Sequence, residues 1–323
     1  MAGKPSGTTL YLPKRCRHLP GWSRTSVKAP QFSTHLGLYS RTAERASSRV
    51  IREYSTSFGL ATRLLPAHTR AGICNVYALV RIADEIVDGT AEEAGLDDAL
   101  RRGVLDALEE ETLAALERGF SANLVVHSFA MTGRAASIEE SLVRAFFRSM
   151  RRDLEPVVSL SEEQYRTYVH GSAEAVGLMC LRVFLQDHQV WEEDLSRLEA
   201  GAARLGAAFQ KINFLRDFAE DSQRLGRTYF PGTSPGTLND HRKSEIIADI
   251  DADLAEARRV LPLLPPGSRR ATALAAALFT ELNERLRRVD AASLHQARVS
   301  VPNRVKARIL AETLIPLPSG RGS

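Results

Sequence analysis

The 323-residue chain has little cysteine and none of the common metal-binding patterns. Its three cysteines, Cys16, Cys74 and Cys180, lie far apart and form no C-x-x-C pair. Neither a disulfide framework nor a structural zinc site is therefore expected. The eight histidines form no H-E-x-x-H pattern, so a histidine-based metal site has little support. This cysteine usage predicts a cytoplasmic protein.

Long apolar runs and the common nucleotide-binding loops are also absent. No run approaches the ~18 apolar residues that a membrane-spanning helix needs. The chain contains no G-x-G-x-x-G after a strand, no G-x-x-x-x-G-K-[ST] and no G-x-S-x-G. Nicotinamide enzymes, nucleoside triphosphatases and serine hydrolases thereby lose their best sequence support.

Negative charge is scarce at the N-terminus. Residues 1–50 hold nine Lys/Arg and one acid, Glu44, whereas the remainder holds 34 Lys/Arg and 38 acids. The body is mildly acidic, which disfavours a nucleic-acid-binding surface. Residues 1–35 contain four prolines and no sustained periodicity, which predicts a basic, disordered leader. Two other interpretations of this segment remain open: a tail that contacts a membrane surface, and an organelle transit peptide.

From about residue 40 onward, apolar residues recur at helical spacing and no convincing strand pattern is found. The periodic segments are 68–88, 97–118, 138–154, 161–185, 195–221, 240–263, 268–290 and 303–314. No linker divides these segments into two groups. We predict one all-α domain over 40–314, followed by a flexible tail over 315–323.

The most informative residues are aspartates four positions apart. Asp84 and Asp88 lie in RIADEIVD, and Asp217 and Asp221 lie in QKINFLRDFAED. On a helix such residues share a face, where two like charges are destabilising unless a cation lies between them. Carboxylate oxygens suit Mg²⁺, or Mn²⁺ in its place, and Mg²⁺ completes its coordination with water and substrate phosphate.

The surroundings of these two pairs favour a ligand site. Tyr77 and Arg81 share the face of the first pair, and Gln210 and Asn213 share that of the second. A buried polar stripe is costly unless it faces a wet, ion-filled cavity. Such a cavity would suit an allylic diphosphate, whose leaving group metal ions neutralise and whose prenyl chain needs apolar walls. A structural salt-bridge network between the helices is the alternative.

A third aspartate pair shows how little the spacing means by itself. Asp249 and Asp253 are also four residues apart, but they lie in an acidic stretch with Asp251 and Glu256. No matching polar partners surround them. We interpret this pair as a solvated helix face.

Four blocks, in order, resemble the squalene/phytoene synthase family. They are Tyr54-Ser55-Thr56-Ser57-Phe58, VYALVRIADEIVD (76–88), YVHGSAEAVGLM (168–179) and AAFQKINFLRDFAEDSQRLGRTYFP (207–231). The resemblance extends from about residue 40 to about residue 310, and the segment RVSVP (298–302) is similar to bacterial phytoene synthases. It implies a single-domain isoprenoid synthase of the class I terpenoid synthase type, an all-α bundle with a central cavity.

The resemblance also implies head-to-head (1′–1) condensation of two prenyl diphosphates through a cyclopropyl diphosphate. Two C20 (geranylgeranyl) diphosphates would give phytoene for carotenoid biosynthesis, without a nicotinamide cofactor. Two C15 diphosphates, giving squalene or dehydrosqualene, are the alternative. A terpene cyclase fits the Y-S-x-S-F and RVSVP blocks less well, and a non-catalytic helical assembly partner would have no reason to keep paired carboxylates. The oligomeric state stays open.

Residue by residue, the resemblance implies three groups of site residues. The implied metal ligands are Asp84, Asp88, Asp217 and Asp221. The implied catalytic residues are Tyr77, Arg81, Tyr168 and Arg216, and the implied substrate-binding residues are Ser55, Ser57, Phe58, Gln210 and Asn213.

The chain departs from the family pattern at two glutamates. Glu85 stands where many relatives have a second adjacent aspartate, and it keeps the charge. Glu174 stands where many relatives have glycine, which predicts a narrower or more polar cavity wall. Nearby, Gly171 and Gly177 are expected to permit close helix packing rather than substrate contact.

Overall fold

A computed structural model describes residues 34–155, 159–219, 228–233, 237–294 and 298–314. These residues form helices and no strands, which confirms the all-α prediction. In chain order the helices are α1 (His35–Tyr54), α2 (Thr56–Thr62), α3 (Ala67–Val87), α4 (Thr90–Glu93), α5 (Asp98–Arg118), α6 (Leu124–Ala136), α7 (Glu140–Arg152), α8 (Glu162–Val169), α9 (Ala175–Leu185), α10 (Glu192–Arg216), α11 (Asp240–Val260), α12 (Pro266–Arg288), α13 (Ala291–Leu294) and α14 (Asn303–Leu314). A π-helical turn, His170–Glu174, joins α8 to α9, and a 3₁₀ turn, Leu261–Leu263, follows α11.

Local capping explains several helix boundaries. The Thr34 side chain accepts a hydrogen bond from the Gly37 amide, so the first helix begins a few residues before the predicted domain start. Ser161 and Gln164 form a reciprocal capping box at the start of α8. Gly119 ends α5 at φ 78°, a left-handed conformation that glycine adopts without a Cβ penalty.

Helices α1 and α6 lie outside the segments that periodicity delimits, and burial explains the omission of α6. Eight of its 13 residues are buried, and these include the polar residues His127, Ser128 and Thr132. A helix that is buried on most sides has no continuous polar face to mark the 3.6-residue period. Its N-terminus is instead marked by Asn123, whose side chain caps the first turn.

Two large apolar clusters hold the bundle together. One unites α3, α5, α6, α7 and α9 around Phe129, Phe146 and Phe147. The other unites α10, α11 and α12, with Ile212 and Ile250 fully buried. None of the described helices combines the length and the apolar character that crossing a bilayer requires.

Glycines allow the helices between these clusters to approach closely. A Cβ atom on Gly177 would lie 2.4 Å from the carbonyl oxygen of Ala202, and one on Gly206 would lie 2.5 Å from that of Ala173. A Cβ atom on Gly171 would lie 2.2 Å from the carbonyl oxygen of Ala145. The expectation of close helix packing is confirmed at both Gly171 and Gly177, although Gly177 also lines the central cavity.

The interpretation of the third aspartate pair was wrong for one of its members. Asp249 is more than half exposed, but only 3% of Asp253 is accessible to solvent. Helix α11 packs that face against α10, where Lys211 and Arg204 donate hydrogen bonds to the Asp253 carboxylate. The matching charges therefore come from another helix, which sequence neighbours could not reveal.

Candidate active site

A cavity of about 810 Å³ brings together most of the predicted site residues. Those that line it are Ser55, Ser57, Phe58, Tyr77, Arg81, Asp84, Asp88, Gln210, Asn213, Arg216 and Asp217. The first three come from the start of α2, the next four from α3 and its C-cap, and the last four from α10 and its C-cap. Asp221 lies outside the described residues.

Each aspartate motif has a described residue at the C-terminal end of a helix. Asp88 is the C-cap of α3, and Asp217 is the C-cap of α10. The helix macrodipole places partial negative charge at such an end, which favours cations and disfavours further anions. Burial, followed by the charge of Asp88, raises the pKa of Asp84 well above its usual range. The local field therefore favours a cation beside these carboxylates.

Arg81 organises the wall that α3 forms. One of its terminal nitrogens lies 2.6 Å from Glu85, and another lies 3.9 Å from Asp84. Its guanidinium also stacks 4.5 Å from the centre of the Tyr54 ring. Its buried Nε has no hydrogen-bond partner among the described residues, so it is a donor available to a ligand.

Both departures from the family pattern have a local structural explanation. Glu85 pairs with Arg81 one turn earlier and accepts a hydrogen bond from the Thr90 hydroxyl. Glu174 pairs with His170 at 3.0 Å on the π-helical turn. Glu174 is not among the described residues that line the cavity, so its side chain does not narrow or polarise that wall.

The wall that α10 forms carries both an acceptor and a cation. Asn213 Oδ1 is buried and has no hydrogen-bond partner in the described part of the chain. Gln210 Nε2 donates to Ser172 Oγ at 3.5 Å, and Arg216 Nε donates to Asp217 Oδ1 at 2.9 Å. An unpartnered amide oxygen beside a carboxylate is the hard oxygen donor set that Mg²⁺ prefers.

These donors fit a divalent cation that is shared with a ligand. Within the described residues, no group of three or more His, Cys, Asp or Glu side chains converges on one point. Mg²⁺ typically binds one or two carboxylates together with substrate phosphate and water, so a closed protein cage is not required. Asp84 and Asp88 on one wall, and Asn213 and Asp217 on the other, are the described side chains that would hold it.

Two further cations line the cavity and were not singled out from the sequence. Arg298 belongs to the RVSVP segment, and its Nε lies 2.8 Å from Asp217 Oδ1. Lys306, on α14, donates to the Thr56 hydroxyl at 2.6 Å, and burial lowers the pKa of its ammonium group. The RVSVP resemblance could have drawn attention to Arg298, whereas no sequence signal marks Lys306.

Aromatic and aliphatic side chains form the rest of the cavity. The ring of Phe58 lies 5.3 Å from that of Phe279, which stacks on Phe209 at 3.9 Å. Tyr77 lies 6.3 Å from Phe58, and burial raises the pKa of its hydroxyl, so the phenol stays neutral. These rings exclude water and present π faces that can stabilise a cation.

Tyr168 lies behind this lining rather than in it. It is 4% exposed, and its hydroxyl donates to both carboxylate oxygens of Asp153 at 2.9 Å. Its ring stacks 5.1 Å from that of Tyr229, which does line the cavity and also donates to Asp153. Tyr229 belongs to the last family-like block, but nothing in its spacing distinguishes it there.

A helical bundle around such a cavity is the architecture of an all-α protein of the isoprenoid synthase type. The cavity combines paired carboxylates, arginines and an apolar, aromatic interior. The model of the squalene/phytoene synthase family matches residues 51–235, which is more than half of the chain. The chain belongs to this family.

Individual relatives agree with this assignment. The chain is 30% identical over 191 residues to a 15-cis-phytoene synthase of Paracoccus sp., covering 58% of this chain and 59% of the relative. It is 33% identical over 191 residues to a phytoene synthase of Thermus thermophilus, covering 58% of each. The matched region is therefore less than two thirds of the length of these relatives.

A solved structure shows the same fold. A dehydrosqualene synthase in complex with a ligand superposes with a TM-score of 0.71, covering 85% of this chain and 96% of that one. Its sequence is 21% identical to this chain. The two proteins therefore share the helical bundle, and at this sequence identity the likeness shows the fold alone.

Proposed function

We propose that the protein condenses two geranylgeranyl diphosphates head to head, through a cyclopropyl diphosphate, to give phytoene for carotenoid biosynthesis. The observation that carries this proposal is the cavity, in which carboxylates and arginines meet a water-excluding aromatic interior. The relatives that are named phytoene synthase support the C20 substrate. The RVSVP segment, which lines the cavity, supports it as well.

The charged residues bind and orient the diphosphate groups. Arg81, Arg216, Arg298 and Lys306 supply charge-assisted hydrogen bonds to phosphate oxygens. Mg²⁺, when bound, neutralises the diphosphate and assists departure of that group from the allylic carbon. Because Asp88 and Asp217 lie at helix C-termini, they favour the cation that the anionic substrate brings with it.

The apolar lining governs the fate of the allylic cation. Phe58, Phe209 and Phe279 exclude water, which would otherwise trap the cation as an alcohol. In the last step the C40 cation loses a proton, which leaves a central double bond in the hydrocarbon. Tyr229 Oη, which donates to Asp153 Oδ1 at 3.2 Å, is a protein oxygen on the cavity wall. The oxygen of the released diphosphate is the other acceptor for this proton.

The test is a product assay with purified protein. C20 or C15 diphosphate is supplied with Mg²⁺, with and without NADPH, and the hydrocarbon is identified by mass and ultraviolet absorption. We expect a C40 product with a central conjugated triene that NADPH does not alter, and no turnover in EDTA. A C30 product formed more efficiently from the C15 substrate would select the alternative, and loss of the triene with NADPH would refute phytoene formation.

A further inference from the structure

A buried ion pair outside the cavity joins α10, which carries the second aspartate motif, to α11. Lys211 Nζ lies 2.7 Å from Asp253 Oδ2 and also contacts Asp249. Lys211 is 6% exposed and Asp253 is 3% exposed. Arg204 Nη1 lies 3.2 Å from the other carboxylate oxygen of Asp253. None of these four residues is among the described residues that line the cavity.

A gain in folding stability does not by itself explain why these charges are buried. Replacing a buried ion pair by apolar groups of similar volume is often neutral or stabilising, because desolvation offsets the Coulomb attraction. What an ion pair can supply is a unique register between the elements that it joins. The geometry of α10 and α11 is suited to this role.

The charged groups fix the two antiparallel helices along their axes. Lys211 bridges Asp249 and Asp253, which lie one turn apart on α11. Arg204 and Lys211, which lie two turns apart on α10, converge on the same Asp253 carboxylate. A shift of one turn in either direction would leave at least one buried charge without its partner, at a large cost.

The apolar contacts between α10 and α11 are less discriminating. Ile212, Leu215, Ile247 and Ile250 belong to one cluster of aliphatic side chains. Aliphatic groups can repack against one another with modest loss when volume is conserved. The ion pair therefore adds a constraint on the register that these aliphatic contacts lack.

We propose that Lys211 and Asp253 are positioning residues that set the depth at which α10 presents Asn213 and Asp217 to the cavity. This inference rests on the proposed function, because it assigns the pair to the cation–diphosphate site. Lys211 lies six residues before Asp217, about 9 Å along the helix axis. Misplacement of site groups by 1 Å can reduce turnover by about 10²-fold, so small movements of α10 matter.

The test compares three variants of the full chain. The double variant Lys211→Met/Asp253→Leu removes the buried charges together, and it leaves Arg204 and Asp249 in contact with solvent, since both are more than half exposed. Lys211→Arg keeps the ion pair. The matched control is Arg151→Met/Glu109→Leu, which removes another interhelical ion pair, between α7 and α5, away from the cavity lining.

Two readouts do not depend on turnover. The first is the rise in melting temperature that Mg²⁺ with inorganic diphosphate produces. The second is hydrogen exchange of the amides of residues 207–217. For Lys211→Met/Asp253→Leu we expect a ligand-free melting temperature at or above that of the wild type, a ligand-induced rise reduced at least twofold, and faster exchange in 207–217. We expect kcat to fall by about 10- to 100-fold.

The conservative variant and the control make the inference falsifiable. Lys211→Arg should restore exchange protection, the ligand-induced rise and kcat to within about threefold of the wild type, and the control should match the wild type in all three. Unchanged exchange and ligand response in the double variant would overturn the inference, as would equal losses in the control. If the wild type yields no prenyl product, the proposed function fails, and the exchange data still decide whether the pair positions α10.

Discussion

At the scale of single residues, the site depends on carboxylates whose negative charge the surrounding fold disfavours unless a cation is bound. Asp84 is desolvated, lies one turn from Asp88 and sits near the negative end of a helix. Asp217 occupies the same kind of helix end and is held by Arg216 and Arg298. The position of Asp84 costs stability in the absence of ligand, and both helix ends favour a bound cation.

Substituting these aspartates should separate stability from activity. We expect Asp84→Asn and Asp217→Asn each to lower kcat/KM for prenyl diphosphate by at least ~10²-fold, because each removes negative charge that holds the cation. In the absence of metal, Asp84→Asn should melt at or above the wild-type temperature, because one of two adjacent like charges is gone. Steady-state assays and thermal melts in EDTA test both statements.

The control for this pair of variants is Asp187→Asn. The Asp187 side chain is 71% exposed and pairs with the exposed His68 at 3.4 Å, so the Asp187→Asn substitution should leave activity unchanged. Wild-type turnover in both Asp84→Asn and Asp217→Asn would contradict the assigned roles.

His127 should make the stability of the protein sensitive to mild acid. It is fully buried between Tyr39 and Phe120, and burial lowers the pKa of its imidazole. The unfolded chain therefore binds the proton more tightly, so stability is complete above about pH 6.5 and declines as the pH falls below it. Melting temperatures between pH 7.5 and about pH 5 should fall more steeply for the wild type than for His127→Gln. Parallel pH profiles for the two proteins would exclude this assignment.

At the scale of the helical elements, the packing around the cavity depends on glycines that let neighbouring helix backbones approach closely. Gly171 lies on the π-helical turn against α7, where Ser149 and Ala145 occupy the space that a Cβ atom would need. Gly177 and Gly206 serve the same purpose between α9 and α10. These positions bring the wall-forming helices near enough to share one cavity.

Substitution of glycine by alanine should therefore have opposite effects on the stability of the protein at two helical positions. Gly171→Ala should destabilise the protein by about 3 kcal/mol, because its Cβ atom would meet the Ala145 carbonyl oxygen at 2.2 Å. Gly103→Ala, on the exposed face of α5 with nothing within 4 Å, should stabilise it by about 0.5–1 kcal/mol. Urea denaturation of both variants measures the difference. Equal effects of the two substitutions would contradict the packing assignment.

At the scale of the whole molecule, charge is divided between the N-terminal segment and the helical body. Residues 1–33 contain six Lys/Arg and no Asp or Glu, and they lie outside the described residues. The described body begins with its own helix cap at Thr34. These two facts suggest that folding and surface attachment can be separated by truncation.

Deletion of residues 1–33 should leave the fold and the product unchanged. We expect the melting temperature and kcat to stay close to those of the full chain, and binding to anionic vesicles to weaken by up to ~1 kcal/mol per basic residue removed. Cosedimentation with phosphatidylserine vesicles measures this, and phosphatidylcholine vesicles serve as the control. A large fall in melting temperature would show that the segment packs on the body.

Much of the architecture could be predicted from local sequence patterns. Segment 303–314 coincides with α14, and segment 68–88 lies within one residue of α3. The two walls of the cavity could be predicted as well, because spacing of three and four residues places Tyr77, Arg81, Asp84 and Asp88 on one helical face. Helical periodicity and side-chain spacing are properties of one segment, so a single sequence determines them.

Contacts between segments were decided only by the tertiary structure. Lys306 enters the cavity, Tyr168 lies behind its lining, and Asp253 is buried against Lys211. Each of these placements depends on which face of a distant helix packs opposite, and local spacing carries no information about the partner. The sequence by itself thus determined the helices and the chemistry of each face, while packing between remote helices decided which charges are buried in pairs and which meet in the cavity.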